Sequence, residues 1–221
     1  MPTDLIPHPG PANIDFAPGA GTVAPPSMET NAQPTIRYRV DSKNQLISVS
    51  DEWIAFAAEN DGESVAPDLV LGKNLLAAIS DLTLRQLYLQ LVALARLGRP
   101  ARFRFRCDSP GFRRLFEMTI RGQEGGVVEF SSVLLESESR PEVALFDFHQ
   151  ARNESFLRVC SWCQRIAVGT SWLPVEEAVD RLGLMHQPTL PSLTHGICEK
   201  CNSEMLAAIA KLGRSGTAEP A

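Results

Sequence analysis

The chain has 221 residues, 44% of them apolar, with only 7% aromatic and a net charge of −5. That length allows one medium domain with an appendage or two small domains, and the mild acidity excludes a general binder of nucleic acid or anionic membrane. No apolar run approaches the roughly 18–20 residues that span a bilayer, and the N-terminus lacks the basic and apolar regions of a secretory signal, so the expected compartment is the cytoplasm, where thiols stay reduced.

Residues 1–34 hold eight of the sixteen prolines, interleaved with Gly, Ala and Ser and without apolar period. This predicts a disordered tail. Residues 35–136 read as one α+β domain. IRYRV (36–40) alternates, Asp41-Ser42-Lys43-Asn44 is a turn cluster, and QLISVS (45–50) is a second strand, together a hairpin. Asp51 is placed to cap a helix, EWIAFAAEN, whose Trp53, Ile54 and Ala57 recur at helical spacing. A loop rich in Gly, Pro and Asp leads to VLGKNLLAAIS. Asp81 then opens the longest helical pattern, with Leu84, Leu87, Leu91, Leu94 and Ala95 on one face and Gly98-Arg99-Pro100 at its end.

Three strands follow. ARFRFRC (101–107) sets Phe103, Phe105 and Cys107 on one face and Arg102, Arg104 and Arg106 on the other. RRLFEMTIRG (113–122) places Phe116, Met118 and Ile120 together, and GGVVEFSSVLLE (125–136) closes the set. The order is two strands, helices, three strands. That order, with the opening YRVDSKNQLISVSDEWIAFAAEN, the VLGKNLL stretch and the helix ending in Gly98-Arg99-Pro100, resembles a PAS domain, a small sensory module of bacterial signalling proteins. The resemblance covers roughly 36–136. It implies a five-stranded antiparallel sheet with helices on one side and a ligand or partner site in or on it.

Residues 137–158 read as a weakly amphipathic helical linker. Its place between two folded units suggests that a change in the sensory domain would shift it and so change how the next segment docks. That segment, 159–212, carries VCSWCQRI and THGICEKC, each with a Cys-x-x-Cys pair, before a frayed tail from 213 to 221. Four thiolates suit tetrahedral Zn²⁺, and a two-residue spacing lets one tight turn aim both sulfurs at one centre. Cys198 and Cys201 open a helical pattern with Met205, Ala208, Ile209 and Leu212 as its stripe, so the helix dipole favours thiolate there. Between the pairs, Pro174 starts a short helix, VEEAVDRLG, and Trp172 and Leu182 offer a small core. A segment this short needs a staple, and a structural zinc supplies roughly 10–16 kcal/mol of apparent binding energy. The expectation is one Zn²⁺ per chain on Cys160, Cys163, Cys198 and Cys201, in a small helical module.

Other readings stand beside it. A thioredoxin-like redox pair needs one Cys-x-x-Cys beside a βαβ pattern, which is absent. An iron–sulfur cluster also accepts four cysteines. A catalytic zinc keeps a place open, which four thiolates would fill. His195, three residues before Cys198, is a fifth donor that could replace a cysteine or hydrogen-bond a sulfur. VCSWCQRI, the Trp172-Leu-Pro-Val-Glu-Glu stretch and LTHGICEKC together resemble the short cysteine-rich tails that follow PAS domains, sensor kinases and response regulators in bacteria. This second resemblance, over about 158–206, implies a zinc-binding signalling accessory and no known reaction.

Phe103, Phe105, Cys107, Phe116 and Met118 are the candidate lining of a ligand pocket. Cys107 reads as buried packing with a lesser claim to a redox or ligand role. It lies on a strand, which argues against covalent flavin. No His lies between His8 and His149, which argues against haem, with Cys, Met or Tyr ligation left open. The stripe Arg102, Arg104, Arg106 reads first as a solvated face paired with nearby acids, then as a docking surface for an acidic protein. Nucleic acid is disfavoured because no aromatics interleave on that face. No phosphate loop, kinase lobe or helix-turn-helix signature is found. The chain is therefore expected to be a non-enzymatic signalling protein acting through a protein partner or homodimer, with a small-molecule ligand as an option and no membrane. The alternatives are a thiol redox switch that ejects zinc on oxidation and, less favoured, a metal-dependent enzyme.

Overall fold

The computed structural model describes residues 34–60 and 62–214. The tail predicted over 1–34, apart from Pro34, and residues 215–221 lie outside them. The fold is α+β. Strands β1 (Thr35–Val40), β2 (Leu46–Val49), β3 (Ala101–Arg106), β4 (Phe112–Gly122) and β5 (Val128–Ser139) form an antiparallel sheet in the order β2-β1-β5-β4-β3. Alternation decides its faces. Tyr38, Val40, Phe103, Phe105, Phe116, Met118, Ile120, Val128 and Phe130 are buried on one side, while Arg37, Arg39 and Arg102 stand exposed on the other.

Three helices lie between β2 and β3: α1 (Asp51–Glu59), α2 (Pro67–Val70) and α3 (Leu82–Arg96). The cap of α1 is Ser50, whose hydroxyl accepts from the Trp53 N–H, so Asp51 is the first helical residue rather than the cap. Asp81 caps α3, accepting from the Leu84 N–H at 2.8 Å. Gly98, at φ 74°, closes it, with its N–H on the Ala95 carbonyl and that of Arg99 on the Leu94 carbonyl. Leu84, Leu87, Tyr88, Leu91, Val92 and Ala95 are buried against the sheet. The α3 backbone comes so near the end of β4 that a side chain at Gly122 would collide with the Ala95 carbonyl.

The remainder departs from a helical linker and a helical module. Residues 144–146 form one 3₁₀ turn, and Arg152–Cys160 is a strand, β6. Local side-chain bonds oppose a helix there. The Asp147 carboxylate accepts from the His149 N–H, and the Asn153 side chain accepts from the Ser155 N–H. β6 joins β7 (Ile166–Val168), β8 (Ser171–Leu173) and β9 (Leu190–Gly196) in a sheet ordered β8-β7-β6-β9, in which β6 and β9 run parallel. Its helical parts are α4 (Val175–Arg181), a 3₁₀ turn at Leu184–His186 and α5 (Glu199–Arg214), so the segment is mixed rather than helical. Gly213 and Arg214 finish α5 instead of beginning a frayed tail.

Two hydrophobic cores result. One holds Val143, Leu145, Phe146, Val159, Ile166, Val175, Ala178, Val179, Leu184 and Leu190, with Leu182 packed against it. The other spans the five-stranded sheet and α3 and continues into Cys160, Trp162, Cys163, Ile197, Cys198, Cys201, Met205 and Ile209. The cysteine segment is thus divided: its strands share a core with residues 143–146, while its cysteines share the core of the first sheet. An ionic cluster ties the two regions. The fully buried Asp108 carboxylate pairs with Arg106 and, at 3.4 Å, with Arg140, which also meets Glu176 of α4 at 3.3 Å.

Candidate metal centre

Cys160 ends β6, and a tight turn follows it. The Gln164 N–H bonds the Cys160 carbonyl at 2.9 Å, the Cys160 N–H bonds the Arg165 carbonyl at 2.8 Å, and Gln164 takes a left-handed φ of 57°. The turn leaves the Cys160 and Cys163 side chains on one side. Because β9 runs parallel to β6, with Gly196 opposite Cys160, it delivers Ile197 and Cys198 to the same end of the sheet. α5 starts at once, with Cys201 in its first turn.

The four sulfurs lie within 4.8 Å of one another, and all four residues are buried. Cys163 Sγ and Cys198 Sγ are 3.8 Å apart. Two backbone N–H groups point at sulfurs: Cys198 N–H to Cys160 Sγ at 3.4 Å and Cys201 N–H to Cys198 Sγ at 3.5 Å. Hydrogen bonds within the cluster split the thiols. The bond with Cys163 holds Cys160 below the usual thiol range, and the bond with Cys160 holds Cys198 below it. Cys163 and Cys201 are pushed up, each first by its bond with Cys160. Such a set resists full ionisation until a cation sits among the sulfurs, and a cation would bring all four to thiolate. The group fits a metal ion by donor chemistry, burial and spacing.

His195 lies outside this group. It occupies β9 opposite Val159 and is half-buried. The candidate pocket residues Phe103, Phe105, Phe116 and Met118 are buried on the helix-facing side, where rings fill the space: Phe105 stacks on Phe116 at 5.2 Å, and Phe56 meets Phe116 edge-on at 5.7 Å. Cys107 lies just past β3 and packs against this core, and burial pushes its thiol up to about 11. The arginine stripe is paired. Arg102 and Arg104 share Glu117 on β4, and Arg106 holds Asp108.

Two features escape a reading of the sequence. Trp162, between two of the cysteines, is 2% exposed; its ring centroid lies 5.3 Å from that of Phe103 and 6.0 Å from that of Tyr88, and its carbonyl accepts from the Arg106 N–H at 3.2 Å. The only hint is an aromatic inside a Cys-x-x-Cys. Tyr38 and Tyr88 are fully buried, and among the described residues neither hydroxyl has a hydrogen-bond partner. Burial raises both phenols.

No helix among the described residues is long and apolar enough to cross a membrane. No family model matches the sequence, and no curated protein matches it. The crystal structure of a domain of an HTR-like protein from Haloarcula marismortui is similar over 46% of this chain and 98% of that chain, at 13% identity and a TM-score of 0.28.

Proposed function

We propose that the protein is a non-enzymatic signalling accessory in which a PAS-like sensory domain is closed at one end by a structural zinc centre on Cys160, Cys163, Cys198 and Cys201. One observation carries the metal half: four buried sulfurs from two Cys-x-x-Cys pairs within 4.8 Å of one another. In a tetrahedron with Zn–S bonds of about 2.3 Å the sulfurs stand ~3.8 Å apart, the separation of Cys163 and Cys198. The four thiolates would fill the coordination shell, so zinc would supply cross-linking rather than an open catalytic place. Their burial speaks against a fast oxidant switch, which needs solvent-reachable thiolates.

The sensory half is supported by the antiparallel sheet ordered β2-β1-β5-β4-β3 with α1 and α3 packed on one face, as the PAS resemblance implies. Output would pass through a protein partner or a second copy. The test is metal content with a visible spectrum on protein purified without chelator. One zinc per chain and no visible bands is the expected result. Iron with visible bands, or no metal with oxidised cysteines, would overturn it.

A further inference from the structure

We propose that Trp162 carries the state of the four-sulfur centre into the core of the first sheet, so that loss of the metal loosens the packing of α3. The inference rests on the metal-centre reading and goes beyond it, because a structural clip need only hold its own segment together.

The covalent path is short. Trp162 adjoins Cys163, and only Ser161 separates it from Cys160. Its ring lies between β3 and α3, against Phe103 and Tyr88. Its carbonyl receives the last β3 amide, that of Arg106. A shift of the cysteine turn must therefore move the end of β3, the face of α3, or both. The second cysteine pair makes the same connection. Ile197 next to Cys198, and Met205 four residues after Cys201, are buried in the core that holds Leu91 and Phe103. A shallow recess where α5 meets the sheet is lined by apolar side chains, among them Leu91, Phe103, Met205 and Leu212, with Arg102 beside them. Both halves of the centre thus wall one end of the core, and Trp162 fills that wall.

The interior behind the wall favours opening once it gives way. Tyr88 touches Trp162 on one side and Phe130 on the other, and Phe130 stacks on Tyr38 at 4.6 Å. The Tyr88 and Tyr38 hydroxyls are buried without partners. A buried hydroxyl without a partner carries an uncompensated desolvation cost, which water relieves on entry. The native core is held shut against that gain by packing, and Trp162 supplies the packing at Tyr88. A cross-link through the sulfurs fixes Trp162 in place. Without it, the turn keeps its backbone bonds, including those of Ser161 to Gly196 and of Arg106 to Trp162, but loses the link that joins it to Cys198 and Cys201.

The test uses the full chain loaded with Zn²⁺, with metal counted per chain and hydrogen exchange followed by segment before and after chelation. In the wild type, chelation should speed exchange in α3 and at the end of β3 roughly tenfold or more, while β1 and β2 change less. Trp162→Ala should still take up one zinc per chain, yet its α3 exchange should be fast already and respond little to chelation. Should that variant fail to fold, Tyr88→Phe serves instead: it removes one orphan hydroxyl and should shrink the response of α3 by several-fold. Two results would overturn the inference alone: one zinc per chain with α3 exchange unchanged on chelation, or equal acceleration in every strand and helix. Failure to take up metal would sink the metal-centre reading as well.

Discussion

The Asp108 carboxylate is a buried charge with several partners. Its side chain is fully buried and pairs with Arg106 and Arg140, and it also accepts from the Arg114 backbone N–H at 3.2 Å. Replacing it with asparagine keeps the volume and removes the charge, so the cost is electrostatic. Arg106 is 31% exposed and can turn toward water; Arg140 is 3% exposed and cannot. Removing one partner of a buried pair typically costs ~3–5 kcal/mol. Arg140 keeps part of its compensation, from the Glu176 carboxylate and the Ser109 and Pro110 carbonyls. The expected loss for Asp108→Asn is therefore ~2–3 kcal/mol, a fall in Tm of about 4–12 °C for a chain of this size. Urea denaturation of the metal-loaded chain measures it directly. Arg140→Met added to Asp108→Asn should recover ~1.5 kcal/mol or more of the summed single costs, because the stranded charge is gone. A single-variant loss under about 0.5 kcal/mol, or strict additivity of the two, would refute the reasoning.

Three further outcomes follow from the same structure. Burial alone would raise the Glu176 carboxyl, but its hydrogen bond to Arg113 and the Arg113 and Arg140 charges outweigh it and hold the group below its ordinary value. A depressed acid stabilises the fold above its unfolded value of about 4.3, and that contribution disappears as pH falls through the lower folded value; Glu176→Gln should flatten this acid limb of a stability–pH curve, and an unchanged limb would count against the pairing. Cys107, raised to about 11 by burial, and four sulfurs gathered around the proposed metal should leave no fast thiol at pH 8, so a thiol reagent should find all five cysteines only after chelation and denaturation; rapid labelling of the native loaded chain would contradict this. Gly122→Ala drives a methyl group into the Ala95 carbonyl and should cost ~2–3 kcal/mol in the same urea assay, where a neutral result would show that α3 can move away from β4.

The first sheet was legible because β1, β3 and β4 alternate by themselves and the β1–β2 turn carries its own signal in Asp41-Ser42-Lys43-Asn44. Asp81 at one end of α3 and Gly98 at the other mark its bounds by side-chain chemistry that needs no distant partner. β6 was not legible, because RNESFLRVC has no clean alternation and becomes a strand by pairing with β9, far along the chain. The four cysteines could be grouped from spacing alone, since a Cys-x-x-Cys turn is a local device. The position of the cysteines in the core of the first sheet could not, because Trp162 and Ile197 reveal it only through contacts with Phe103, Tyr88 and their neighbours. Cys107 fell on the expected side of the sheet, while the arginine stripe found its acids in Glu117 and Asp108, one of them on the next strand.

Parallel pairing of β6 with β9 explains the long interval between the two cysteine pairs: a chain that must return to the same end of a sheet needs a crossover, here β7, β8 and α4. It also sets an order of events during synthesis. The first pair leaves the ribosome before the second, and α5, which covers Leu91 and Phe103, follows with the second. Until then the nascent chain presents an uncovered apolar flank with Trp162 beside it, the kind of surface that chaperones hold and proteases find. A chain interrupted before Glu199 would keep that flank uncovered, and the first sheet would lack one wall of its core.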